Sequence, residues 1–219
     1  MNTDIEDKKA QLVHQREEQI LTAAKRIFAQ NGFRRTKIDQ IAEKLSIGKG
    51  TIYRYFKDKK SLFLAVFEQG MASLQQKFRA NVQPITDPQA KVATAVRTYF
   101  EFFDNDTEFI EIQMQVRSEF KDDYRRVFLA MYRDYIVRIQ ENLRNGIKTG
   151  VFRELDVEKT AETISATLQG VLQSFYIREF GPEIATSNPE KLTNRTDAVT
   201  ALLLKGLLKR DNEVKTLTS

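Results

Sequence analysis

The side chains best suited to chemistry in this chain cluster between Arg35 and Lys59. Thr51, Tyr53, Arg54 and Tyr55 stand almost side by side. An arginine can bind guanine O6 and N7 together, a threonine offers a hydroxyl and a methyl, and a tyrosine reaches a phosphate or a thymine methyl. Lys49 and Gly50 come just before them, and Gly50 is small enough to let a backbone approach. Lys59 follows, next to Asp58. Charge points the same way. Residues 1–60 carry 14 Lys and Arg against 8 Asp and Glu, whereas residues 61–219 carry 21 against 22. The positive excess of this +5 chain therefore lies wholly in its first 60 residues. Double-stranded DNA is the partner that so localised a basic face predicts.

Other chemistries find little support. The single histidine, His14, stands far from any other group with which it could act, and there is no cysteine to serve as nucleophile, metal ligand or disulfide. No Gly-rich phosphate loop, metal-ligand cluster or Ser/His/Asp set occurs. Glu111 and Glu119 are eight apart with no partner to make them a general acid and base. The expectation is a protein that is not an enzyme and holds no metal or cofactor. No apolar run approaches the roughly 18 residues of a membrane span, and MNTDIEDKKAQ is too polar for a signal peptide. A cytoplasmic protein without membrane contact is expected. With 4 Pro, 9 Gly and 30% charged residues, the composition favours an all-α fold.

The basic residues need helices to present them. Ile20, Ala24, Ile27 and Phe28 form one apolar stripe, predicting a helix from about His14 to Gln30 that Gly32 ends in a left-handed conformation. Thr36 is expected to cap a second helix, with Asp39 three residues on completing a capping box. Ile38, Ile41, Ala42 and Leu45 are its buried side. Ser46-Ile47-Gly48 makes the turn, with Gly48 expected to supply the unusual φ. A third helix, from Lys49 or Gly50 to Phe56, is too short to stand alone. Ile52 and Phe56 must anchor it, which turns Thr51, Tyr53, Arg54 and Tyr55 outward. Asp58 caps a fourth helix whose free N–H groups, beside Lys59, suit a phosphate. Two helices joined by a tight turn in this way make a helix-turn-helix.

The run TKIDQIAEKLSIGKGTIYRYFKDKKSL, from Thr36 to Leu62, with the preceding Ala23–Phe33 pattern, resembles the N-terminal DNA-binding domain of the TetR-type family of bacterial transcriptional regulators. The likeness covers about Ile20 to Leu64. It implies that Thr36 opens the second helix, Gly50 opens the recognition helix, Tyr53 faces DNA and Lys59 grips phosphate. Tyr55-Phe56 matches the family's Tyr-Phe pair. DNA contacts are thus expected from Arg35, Thr36, Lys37, Lys49, Gly50, Thr51, Tyr53, Arg54, Tyr55 and Lys59. Lys59 and Thr36 would hold phosphate, while Arg54, Thr51 and Tyr53 face bases. The resemblance also implies that residues 61–219 form a helical effector-binding and dimerisation domain after a DNA-binding domain at 1–60, with about nine helices in all.

Apolar stripes predict helices at 61–82, 87–104, 107–119, 121–148, 156–180 and from Asn188 or Pro189 to about Lys209. The alternation Ile110–Val116 suits a strand locally, but no second strand is available to pair with it, so a helix is expected. Gly70 in mid-helix predicts a close crossing or a ligand. Aromatic residues crowd this region and polar groups interrupt its stripes. Phe67, Gly70, Met71, Tyr99, Phe103, Gln113, Arg117, Phe128, Tyr132, Gln169, Gln173 and Tyr176 are the expected contacts of a small, mostly apolar effector. One helix-turn-helix touches few base pairs, so a homodimer on a palindromic operator is expected. Its contact is assigned to Ala161, Ile164, Leu168, Leu172, Phe175, Val199, Leu202, Leu203 and Gly206. The function expected is a sequence-specific regulator, as repressor. An activator of the same kind, or a helical adaptor binding protein through its basic end, is the alternative.

Overall fold

The computed structural model describes residues 2–180 and 190–209, with side chains described from 8 to 178 and from 190 to 209. Among the described residues there are nine α-helices, and the only β pairing is an isolated bridge between Phe152 and Leu208. The predicted stop at Pro182, the predicted helix start at Asn188 or Pro189, and the tail from Asp211 to Ser219 lie outside them.

Compactness divides the chain into two units, one of residues 1–72 with 106–127, the other of residues 73–105 with 128–219. The first unit opens with α1, Asn2–Asn31, which starts well before the predicted His14. From Lys8 to Gln15 every side chain is exposed, Leu12 and Val13 among them, so no buried stripe marks this part of the helix. The stripe of Ile20, Ala24 and Phe28 is fully buried, as the spacing predicts. Gly32, at φ 78°, ends the helix and donates to Phe28 O at 2.9 Å. Two short helices follow, α2 at Ile38–Lys44 and α3 at Lys49–Tyr53, then α4 at Lys59–Asn81.

The predicted helix at 107–119 is the helix α6, Thr107–Glu119, and it packs along α1. Its Phe109, Ile110, Ile112 and Val116 are fully buried, so the local alternation served a helix with two adjacent buried faces. Asp106 caps it through Phe109 N–H and also pairs with Lys25 Nζ at 2.7 Å. This packing is why residues 106–127 group with the N-terminal helices, although function suggested a division near residue 60. Gly70 of α4 lies against the Phe109 ring, where a methyl group would overlap it; the close crossing expected there is present.

The second unit contains the end of α4, α5 at Pro88–Asn105, most of α7 at Lys121–Lys148, α8 at Val157–Phe180 and α9 at Thr196–Leu207. Asp87 accepts from Ala90 N–H at 2.6 Å, which fits Pro88 at the first helical position. Val92, Ile136, Leu143, Phe152, Ala161, Ile164 and Leu207 form one buried cluster. The final helix differs from expectation. A 3-10 turn at Leu192–Arg195 precedes it, held by Asp104, whose carboxylate accepts from Leu192 and Thr193 N–H at 2.7 and 2.8 Å.

Candidate nucleic-acid interface

The structure builds the predicted turn with two changes of role. Thr36 does not cap α2. Its side chain is buried, and its hydroxyl donates to Gly32 O at 2.8 Å, the partner a buried hydroxyl requires. The helix begins one residue later, after Lys37, whose N–H donates to Gln40 Oε1 at 2.8 Å. Asp39 is instead free of the cap and pairs with Lys49 at 3.3 Å, bridging α2 and the start of α3.

Gly48 is not the residue of unusual φ either. It is extended, at φ −72°, and precedes α3. Ser46 takes the left-handed position at φ 53°. Ile47 N–H donates to Ala42 O and Ser46 N–H to Glu43 O, each at 3.0 Å. Those two bonds make a Schellman termination, which demands the left-handed residue at the position Ser46 occupies.

α3 stops at Tyr53 rather than Phe56: Arg54 keeps helical angles, at φ −75° and ψ −24°, but the chain closes in a turn in which Tyr55 and Phe56 N–H both donate to Ile52 O at 3.0 Å. Ile52 and Phe56 are buried as expected. Lys49, Gly50, Tyr53 and Arg54 are exposed, Thr51 and Tyr55 half-buried, and Arg35 and Lys37 exposed. Asp58 caps α4, accepting from Ser61 N–H at 2.7 Å and Ser61 hydroxyl at 2.8 Å. These bonds, with Lys57 and Lys60 nearby, hold its carboxyl below the usual range.

Lys59 is the most constrained of the expected DNA contacts. Its ammonium donates to Phe33 O at 2.8 Å, Thr36 O at 2.9 Å and Arg34 O at 3.3 Å, and stands 4.5 Å from the centre of the Phe33 ring. Phe33 packs on Phe28, Phe63 and Phe120. Gln115 of α6 completes the enclosure: its Oε1 accepts from Phe33 N–H at 2.9 Å and its Nε2 donates to Phe28 O at 3.0 Å. Arg34 pairs with Glu119 at 2.8 Å. Sequence reasoning missed Gln115, since its partners are main-chain atoms more than 80 residues away and carry no sequence signal.

Two family models match the chain: bacterial regulatory proteins of the tetR family over residues 20–66, and the tetracyclin repressor-like C-terminal domain over residues 86–173. The helix-turn-helix-type transcriptional regulator YhgD of Bacillus subtilis (strain 168) is 30% identical over 146 residues, 67% of this chain and 76% of that protein. The chain belongs to the TetR family. This TetR-family regulator is also 23% identical to the fatty acid metabolism regulator protein of B. subtilis, over 74% of the chain and 84% of that protein. Its fold matches the crystal structure of FadR from B. subtilis in complex with stearoyl-CoA, with a TM-score of 0.72 at 22% identity, covering 86% of this chain and 98% of that one.

The expected effector contacts of this TetR-family chain fall in both units. In the first, Phe67, Gly70 and Met71 are buried, Gln113 Nε2 donates to Met71 Sδ at 3.5 Å, and Arg117 is exposed. In the second, Tyr99 and Phe103 pack edge to face at 4.9 Å and Phe128 stacks on Tyr132 at 5.3 Å. Gln169 donates to Ser165 at 3.1 Å, Tyr176 is half-buried and Gln173 exposed. An open cleft of about 240 Å³ elsewhere in this unit is lined by Ile147, Gly150, Phe152, Arg153, Glu154 and Lys209, and by none of these residues.

Most residues assigned to a dimer contact lie inside the subunit. Ala161, Ile164, Leu168, Leu172, Phe175 and Val199 are buried in its own core. Leu203 is half-buried, and Leu202 and Gly206 are exposed. The open side of α8 carries Ala166, Gly170, Gln173 and Ile177, which helical spacing puts in one row. The open side of α9 carries Ala198, Ala201 and Leu202.

Proposed function

We propose that this TetR-family regulator binds a palindromic DNA operator as a homodimer, in the cytoplasm, and represses until a small, largely apolar effector releases it. The observation that carries this is the α2–turn–α3 arrangement. Ile52 and Phe56 anchor a five-residue helix that leaves Lys49, Tyr53 and Arg54 exposed on the most basic part of the chain. In the division of labour proposed, residues 1–60 read DNA and residues 61–219 bind effector and partner subunit. The exposed rows on α8 and α9, rather than the buried residues first assigned, are the surfaces proposed for the dimer. The relative named for fatty acid metabolism makes fatty acyl derivatives the first effectors to try, with stearoyl-CoA as the probe.

Selection of bound fragments from genomic DNA, followed by titration at several salt concentrations, tests the DNA-reading assignment. The expected result is a set of promoter fragments sharing an inverted repeat, with log affinity falling steeply and linearly against log salt. Binding without sequence preference, or affinity for a protein that survives high salt, would favour the adaptor instead.

A further inference from the structure

The α1–α2 loop is held from two sides at one residue. Phe33 offers its N–H to Gln115 of α6 and its C=O to Lys59 of α4. No helix supplies partners for these groups, since α1 ends at Asn31 and α2 starts at Ile38. Left unpaired in a half-buried site they would each cost free energy, so the two side chains hold the loop firmly. Lys59 has no ammonium hydrogen to spare once its three carbonyls are counted. Gln115 also uses both ends of its amide, which aligns α6 with the last turn of α1 through Phe28 O.

Building on the DNA-reading assignment above, we infer that Gln115 and Lys59 are a pair of positioning residues that fix the DNA-reading helices through the Phe33 peptide. Neither acts by gripping phosphate. Gln115 lies on α6 and Lys59 on α4, so the loop that leads into α2 keeps its place only while those two helices keep theirs. Arg35, Lys37 and the rest of the reading face follow directly after the clamped residue. A shift of α6 or α4 relative to the other is thereby converted into a changed presentation of the face to DNA.

The test uses the full-length protein and the duplex recovered by selection. Gln115→Met keeps side-chain length and loses both hydrogen bonds, and Lys59→Met does the same for the ammonium. Gln115→Ala serves as a second variant should the methionine misfold. Each single variant is expected to bind the operator about fivefold to tenfold more weakly, as loss of one or two net hydrogen bonds predicts. The salt slope should stay that of the parent. The double variant should lose less than the product of the single effects, because both act on one peptide. Hydrogen exchange at the Phe33 amide should quicken at least tenfold in either Gln115 variant.

Unchanged affinity in the Gln115 variants would overturn the inference. A salt slope reduced by about 1 in Lys59→Met would overturn it for Lys59, since that is the mark of a lost phosphate contact. Should the parent bind no duplex, the DNA-reading assignment fails, and exchange alone decides. Faster exchange at Phe33 then upholds the clamp, and unchanged exchange removes it.

Discussion

Arg54 stands exposed one residue beyond α3, on the side opposite Ile52 and Phe56. Among the described residues no ion pair involves this guanidinium. Arg54→Ala is expected to cost about 1–3 kcal/mol at chosen base pairs while leaving scrambled DNA almost unaffected. Parallel titration of operator and scrambled duplexes measures it, and equal losses on both would mean that Arg54 meets phosphate. Thr36 makes the opposite lesson. Its type and place suggested a cap, yet a Ser or Thr hydroxyl near a helix start can equally donate to a neighbouring carbonyl, and Gly32 O was the acceptor in reach.

At the scale of elements, apolar spacing located α2, α4, α5, α6, α7 and α8 to within a residue or two, because each buries a stripe wide enough to be read locally. What local reading could not supply was the left-handed residue that ends α2 and the start of α9. Both depend on where the chain goes next, which is a matter of tertiary packing. The α2 termination offers a direct check. Ser46 holds φ 53°, which a side chain resists by about 1 kcal/mol and glycine does not. Ser46→Gly should therefore raise stability, by less than about 1 kcal/mol once the freer unfolded chain is allowed for. Operator affinity should match the parent's. Thermal melts paired with titration decide it, and a lower melting temperature would mean that Ser46 has a bond worth more than its strain.

For the whole molecule, neither the dimer contact nor the effector site was legible at the residue level. Core and contact residues are alike apolar, and only a three-dimensional structure separates Leu168, which is 2% exposed, from Leu202, which is 66% exposed. Leu202→Glu and Ile177→Glu should give folded monomers that lose operator affinity, as judged by sedimentation and circular dichroism. Leu168→Glu should instead unfold the chain, since it buries an unpaired charge. A Leu202→Glu protein that stays dimeric would move the contact elsewhere. Under the proposed function, binding of an effector, with stearoyl-CoA as the probe, and of operator should oppose each other by about 1–3 kcal/mol, and by the same factor whichever is added first. Operator titration with and without the ligand tests it; a ligand that binds tightly and leaves operator affinity unchanged would separate ligand binding from the regulation.

The clamp at Phe33 has a bearing on how such a regulator can change over generations. Gln115 and Lys59 hold main-chain atoms of Phe33, Arg34 and Thr36, and the side chains of Arg34 and Arg35 take no part in those bonds. A loop fastened by its peptide groups keeps the Gln115 and Lys59 bonds whatever side chain Arg35 becomes, and gives up only the bond from Arg35 Nε to Asn31 O at 2.9 Å. On the DNA-reading assignment proposed above, mutation at this exposed position can therefore alter DNA contact without unfastening the Phe33 clamp, so change in the reading face and retention of fold are separable here.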